Sequence, residues 1–298
     1  MSQSESIVAD VSDTSQSLGK SDPYESSRYR NYVLGVLTLV YCFNFVDRQL
    51  LSILQESIKQ ELLLSDTQLG LLTGFTFAIF YLLAGIPIAH MADKSVRRSI
   101  ISGSIAIWSL MTAVSGAAMN LLHLSLARIG VGIGEAGCTP PAHSMISDIF
   151  PARQRATALS IYSIGINIGV LLGFLLGGWL NEFFGWRVAF VVVGLPGIAV
   201  ALLVRFTVAE PARGFSQNTR SDDQISHSVK EVISLLWSYS SFRHLSMACG
   251  LSALIGYASI NWMAPFMIRT YGIGTGELGT WLALSTGIGG AIGTFAGG

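Results

Sequence analysis

Apolar residues fall in long, nearly unbroken blocks. They occupy about 31–54, 67–91, 99–119, 121–146, 154–180 and 186–207. A polar stretch, 208–241, follows, and then two more blocks at about 243–270 and 275–298. A helix of about 20 apolar residues crosses the hydrocarbon core of a bilayer. Each block is long enough, and none shows the period-two alternation that builds a membrane barrel. The pattern predicts an all-α membrane protein. Six helices on short loops, a pause and then more helices predict two halves built as six plus six. The expected domains are a disordered cytoplasmic tail over 1–27, a six-helix N-terminal bundle over 28–207, a cytoplasmic linker over 208–241, and the start of an incomplete C-terminal bundle over 242–298. The last block ends on Gly297-Gly298 without flanking charge, so the chain is expected to stop in or at the end of its eighth helix. No tandem repeat is visible in the letters.

Composition supports the membrane reading. The chain is 51% hydrophobic and only 12% charged, with a mean hydropathy of +0.54, whereas soluble domains carry about 25% charged residues. Net charge is zero, and nothing directs the chain to nucleic acid. Distribution matters more than total. With the N-terminus in the cytoplasm, Lys20, Arg28, Arg30, Lys94, Arg97, Arg98, Arg153, Arg155, Arg205, Arg213, Arg220, Lys230 and Arg243 fall inside, and only Lys59, Arg187 and Arg269 fall outside. This asymmetry is what the positive-inside rule requires. The N-terminus has no basic stretch or early apolar core, so it does not read as a cleavable signal. Cys42, Cys138 and Cys249 lie in apolar blocks without metal spacing and read as buried thiols.

Four charges interrupt the blocks. Arg128 and Glu135 are seven residues apart in the fourth block, so they share a helical face. A charge at mid-membrane costs roughly 2.5–3.5 kcal/mol on insertion scales and calls for a partner or water. Asp47 and Arg48 interrupt the first block. At 1.5 Å per residue, Asp47 sits roughly 24 Å above the inner end and Arg128 at comparable depth, with Glu135 about 10 Å nearer the cytoplasm. Adjacent helical residues point apart, so Asp47 and Arg48 cannot both face one partner. One reading is a structural ion pair. The other is a proton or substrate site, because ionisable groups in membranes mark pathways. Arg128 reads as structural or anion-holding, and Glu135, expected to lack that partner, as the titrating carboxyl.

Two further patterns bear on mechanism. Asp93, Lys94, Arg97 and Arg98 form a compact charge array between the second and third blocks. Such an array serves topology, and it can also latch one bundle against another in one state and release it in the next. Gly165, Gly169, Gly173 and Gly177 recur every four residues in the fifth block, a stripe that lets helices pack closely. Tyr162, Asn167, Asn261 and Trp262 add polar groups that could line a cavity. Gly132-x-Gly134-x-x-Gly137 matches a dinucleotide fingerprint by letter only, since it sits within a spanning block. No phosphate-binding loop, metal cluster or nucleophile–base arrangement appears, so neither a cofactor nor an enzymatic activity is expected.

These residues resemble the major facilitator superfamily over 31–298. Asp93-Lys94-Ser95-Val96-Arg97-Arg98 is similar to its loop motif between helices two and three, with Ala89 for the usual leading glycine and Lys94 for the usual arginine. Arg128 with Gly130, Gly132 and Gly134 is similar to its fourth-helix motif, and the glycine stripe to its fifth-helix motif without the usual Gly-Pro pair. Asp47-Arg48, Gly132-Ile133-Gly134-Glu135-Ala136 and Glu210-Pro211-Ala212-Arg213-Gly214 resemble the spinster-like branch. The resemblance implies a major-facilitator-type bundle of twelve helices in two halves, of which this chain holds the complete N-terminal half and about two helices of the second. It also implies alternating access around a central cavity, and substrates among lysophospholipids, sphingolipid-like molecules or other amphipathic organic anions, some moved with protons. Carried over residue by residue, Asp47, Arg48, Arg128 and Glu135 are the substrate and proton site.

The expected function is secondary transport of a small amphipathic or anionic solute, coupled to protons, by a monomer in a bacterial inner membrane. Its partners would be a small-molecule or lipid-like substrate and membrane lipids. One rival is an aromatic-acid or sugar-acid symporter of a sister branch. Another is a membrane receptor or scaffold that binds without moving its ligand.

Overall fold

The computed structural model describes residues 22–215 and 229–297. Most of the expected tail, Lys20, Arg220 and the middle of the linker lie outside the described residues. Every described element with regular structure is helical.

Helix α1 runs from Ser27 to Leu62 and ends at Leu63, whose φ of 52° turns the chain. Ser65 and Gln68 then cap each other's backbone and open α2, Asp66–Lys94. Helix α2 contains one wide π-type turn at Leu71–Thr76. Helix α3 spans Arg97–Ser115. Helix α4, Leu121–Ala136, is opened by the Asn120 side chain, which accepts from the His123 N–H. The block at 121–146, expected as one helix, is two. Helix α4 stops at Ala136, and α5 runs from Thr139 to Ile149. Pro140 and Pro141 cause the break. A proline in a helix has no N–H to donate, and its ring collides with the carbonyl four residues back.

Helix α6, Ala152–Thr207, is helical on both sides of Gly185 but folds back there, where the backbone leaves the helical region with φ 81° and ψ 162°. That backbone conformation is open to glycine and strained for other residues. The two arms of α6 are therefore the fifth and sixth expected spans. Helix α7, Val229–Ser238, lies inside the stretch expected to be a plain linker. Helix α8 spans Ser240–Tyr271. Helix α9, Thr275–Leu282, passes through a second wide turn, Ala283–Ile288, into α10, Gly289–Gly297.

The glycine stripe does what its spacing predicts. A Cβ on Gly165 would lie 2.6 Å from the Thr38 carbonyl oxygen, one on Gly169 2.5 Å from that of Cys42, and one on Gly173 2.8 Å from that of Val46. On Gly177 it would lie 2.7 Å from the Ile53 side chain. The stripe thus descends α1 turn by turn, backbone against backbone. The fourth-block glycines face elsewhere. Gly134 abuts α3 at Trp108, and Gly132 abuts α2 at Phe77.

The two ends of the bundle differ. At the end that holds Tyr24, the chain is tied down rather than free. Tyr24 is buried and its hydroxyl donates to the Ala209 carbonyl, while Tyr29 donates to that of Thr207. Residues 22–27 therefore correct the expectation of a tail disordered to residue 27. Burial also raises the Tyr24 phenol well above its ordinary pKa. At the opposite end the later helices meet the earlier ones. Ser52 donates to the Ile260 carbonyl at 3.1 Å, Gln55 to that of Asn261 at 2.9 Å, and Asn181 to Thr275 at 3.0 Å. Arg269 pairs with Glu56 and Asp66. One apolar core unites this end, including Ala264, Leu278 and Leu282 from the later helices. The core at the Tyr24 end contains none of those. Among the described residues, the later helices therefore share a core with the earlier ones at one end and not at the other.

Candidate functional site

All four intramembrane charges come together, in two crossed pairs. The Arg128 guanidinium donates to Asp47 at 3.0 Å, and the Thr112 hydroxyl donates to the other Asp47 oxygen at 2.6 Å. Asp47 and Arg128 are each 3% exposed. Arg48 donates through Nε to Glu135 at 2.7 Å. The helix geometry explains the crossing. Asp47 and Arg48 point apart on α1, and Arg128 and Glu135 share one face of α4, so each residue of the doublet meets one residue of that face. The expectation that Glu135 lacks a partner is corrected. Depth along the axis compares backbone positions, whereas the long, flexible arginine stem leans down the bundle to reach the deeper carboxylate.

The two pairs differ in access. Asp47–Arg128 is almost fully buried, with Arg128 at the margin of the cavity described next. In the other, Glu135 is fully buried but the Arg48 side chain is 17% exposed. Arg48 lines a cavity of about 640 Å³, walled on one side by Phe77, Tyr81 and the wide turn of α2, and on the other by Leu254, Tyr257 and Trp262 of α8. Its guanidinium lies 5.2, 5.1 and 5.3 Å from the ring centres of Phe45, Phe77 and Tyr81. Among the described residues, Glu135 Oε1 and Arg128 Nε are buried without a hydrogen-bond partner. A buried unpaired oxygen beside a cation that reaches open space can accept a proton when the cation is drawn away. Asn261 and Trp262 also line the cavity, whereas Tyr162 is buried in the core at the Tyr24 end and Asn167 lies at a separate apolar crevice. Of the three thiols, Cys42 and Cys138 are buried as expected and Cys249 is exposed.

The loop array is split. Arg97 is fully buried and donates to Glu210 at 2.8 Å, Asp148 at 2.5 Å, Ser144 at 2.8 Å and the Pro211 carbonyl at 2.8 Å. The Arg98 N–H donates to the second Glu210 oxygen. Asp93 and Lys94 are exposed and make no ion pair among the described residues. The buried part of the array therefore ties α3 to α5 and to the start of the linker, all beside the N-terminal bundle. Sequence reasoning did not foresee Thr112, Asp148 or the Glu56–Asp66–Arg269 cluster. Asp148 carried a signal, as an acid at the end of an apolar block. Thr112 carried none.

The chain from residue 37 to 298 matches the family model of the Major Facilitator Superfamily, and the protein belongs to that family of integral, multi-pass membrane proteins. Within it, the chain is spinster-like. A solved bacterial homologue of the human lysosomal transporter Spinster, inward-facing and unoccupied, superposes with a TM-score of 0.81 at 39% identity, over 91% of this chain and 62% of that one. An MFS-type efflux pump of Mycolicibacterium smegmatis is 35% identical over 263 residues, 87% of this chain and 59% of its own length. The cis,cis-muconate transport protein of Acinetobacter baylyi is 28% identical over 251 residues, 81% of this chain and 60% of its own. The chain thus spans about three fifths of the length of these relatives.

Proposed function

We propose that the protein works as a secondary transporter, moving a small amphipathic or anionic organic solute together with a proton by alternating access. The observation that supports this is the Arg48–Glu135 pair, with its cation at the cavity wall and its acid sealed behind. An anionic head group entering the cavity competes for Arg48. When Arg48 turns to it, Glu135 is left as an uncompensated buried charge and takes a proton, so anion and proton enter together and the site stays neutral. The apolar cavity wall at Leu254 and Phe77 accommodates the solute's body. Asp47–Arg128 holds α1 against α4 while the exchange proceeds. The Arg97 node, with Asp93, Lys94 and Arg98 beside it, would act as the latch at the Tyr24 end. That end carries the excess of Lys and Arg, which supports a cytoplasmic N-terminus in a bacterial inner membrane. The protein would act as a monomer.

Uptake into proteoliposomes driven by a pH gradient tests the coupling. Glu135→Gln is expected to abolish gradient-driven uptake while leaving downhill exchange, and Asp47→Asn to impair both. Unchanged gradient-driven uptake in both variants would refute coupling through this site. The resemblance to a muconate transport protein supports a second reading, an aromatic-acid or sugar-acid symporter, beside that of a lysolipid carrier. Competition between cis,cis-muconate and a lysophospholipid for uptake decides between them. Saturable binding with no flux of either would favour a receptor.

A further inference from the structure

The chain carries an internal repeat that the letters conceal, with an offset of 209 residues. Helix α1 ends at Leu63 in the left-handed region, φ 52°, and α8 ends at Gly272 with φ 68°. The N-cap of α2 is Ser65 and that of α9 is Gly274. The Leu69 N–H donates to the Ser65 carbonyl at 3.0 Å, and the Leu278 N–H to that of Gly274 at 3.0 Å. Gln68-Leu69-Gly70 recurs as Glu277-Leu278-Gly279, and a wide turn follows in each copy. The α1–α2 hairpin and the α8–α9 hairpin are therefore equivalent units of the two halves, related by a pseudo-two-fold axis.

The repeat assigns each residue of α1 a counterpart on α8. Ser52 corresponds to Asn261, and its hydroxyl sits against the Ile260 and Asn261 carbonyls at 3.1 and 3.5 Å. A residue in contact with its own counterpart lies beside the axis. One helical turn further along each helix, on the same face, stand Arg48 and Tyr257. They are counterparts too, and both line the same cavity. Tyr257 is exposed within the cavity, and its hydroxyl has no hydrogen bond among the described residues.

We propose that Tyr257 is the specificity-determining partner of Arg48, donating its phenolic O–H to the anionic group of the solute from the opposite half of the protein. The proposal rests on the reading of Arg48 as the anion site. A carboxylate or phosphate has more lone pairs than one guanidinium satisfies, and a neutral donor across the axis takes the remainder without adding charge. The same contact bridges the two halves through the solute, so an anion bound to both walls draws α8 toward α1, whereas a neutral amphiphile engages neither wall.

The test is equilibrium binding to the purified protein, read by quenching of tryptophan fluorescence, since Trp262 lies in the cavity wall. The probes are dodecanoate, lysophosphatidate and cis,cis-muconate, with dodecanol as the uncharged control. Tyr257→Phe keeps the ring and removes only the donor, and its thermal melt should match that of the unaltered protein. It is expected to weaken binding of the anions about tenfold or more while leaving any dodecanol binding unchanged. Arg48→Gln is the reference. If Arg48→Gln loses the anions and Tyr257→Phe retains full affinity, this inference is overturned and the anion site stands. If Arg48→Gln binds them as tightly as before, or if no anion binds at all, the anion site itself falls and takes the inference with it. Equal weakening toward anions and dodecanol in Tyr257→Phe also overturns it, because the loss would then be one of packing.

Discussion

At the scale of single residues, the molecule is governed by the need to pair buried charge. Asp47 and Arg128 are almost fully buried, and removing one partner leaves the other uncompensated, which typically costs about 3–5 kcal/mol. Removing both at once with neutral polar groups of similar shape costs far less. Asp47→Asn and Arg128→Gln are therefore each expected to lower the melting temperature in detergent, and the double variant to recover most of the loss. Additive losses would show that the two side chains act independently. Arg97 obeys the same rule outside the cavity. It satisfies Asp148, Glu210, Ser144 and the Pro211 carbonyl through one planar fork. A lysine cannot reproduce that fork, so Arg97→Lys should destabilise nearly as much as Arg97→Gln, read by the same melt. These residues were legible in the sequence because charges inside apolar blocks demand an explanation. Their pairing was not, because it depends on which way a long side chain leans. Thr112 was invisible because a hydroxyl in a spanning helix ordinarily bonds its own backbone.

At the scale of elements, two kinds of signal carried different information. Long apolar blocks located the helices, and prolines and glycines decided where they end or bend. The block at 121–146 shows the limit of hydropathy alone, because Pro140-Pro141 divides it although its apolar character continues. Helix α7 was missed because its polar and apolar residues average to a linker, and only their angular separation on the wheel marks a helix. The glycine stripe was read correctly from spacing, but its partner helix could not be. The contact is steric and thus testable. Gly169→Val would press a side chain into the Cys42 carbonyl, 2.5 Å from the new Cβ, and into Phe45 at 2.6 Å. Because α1 presents backbone there, little can yield, and the variant is expected to fail to give a monodisperse peak on size-exclusion chromatography. Gly103 is the control, since its Cβ would meet nothing within 4 Å. Gly103→Ala should be neutral, or stabilising by about 0.5–1 kcal/mol through helix propensity. A monodisperse, stable Gly169→Val protein would show that the stripe is not a close-packed contact.

At the scale of the whole molecule, the described helices share a core at one end only, and on the proposed alternating-access reading this arrangement is one of two states. On that reading, the contacts at the closed end are the ones that would break for the other state to form. That end is held by Arg269, which bonds Glu56 at 2.8 Å and Asp66 at 2.7 Å, with Lys59 on Asp66 at 2.8 Å. Three of the elements that meet there, α1, α2 and α8, contribute charge, so a polar network borders the apolar core that the two halves share at this end. The two Asp66 pairs are exposed, and exposed pairs contribute little each. That is too little to hold a structure together, but enough to shift a balance between two states by several-fold. Arg269→Gln should therefore leave folding intact and raise the population open at this end. The reporter is Asn261→Cys, in the cavity wall just inside the seal, with Cys249→Ser to remove the exposed native thiol. A membrane-impermeant thiol reagent, applied to the face opposite the N-terminus, should label the introduced thiol several-fold faster when Arg269 is replaced. Neutralising Asp66 instead, as Asp66→Asn, should have the same direction of effect, because it removes the acceptor that Arg269 shares with Lys59. Equal labelling rates with and without Arg269 would mean that the apolar contacts of Ala264 and Leu278 alone keep this end closed.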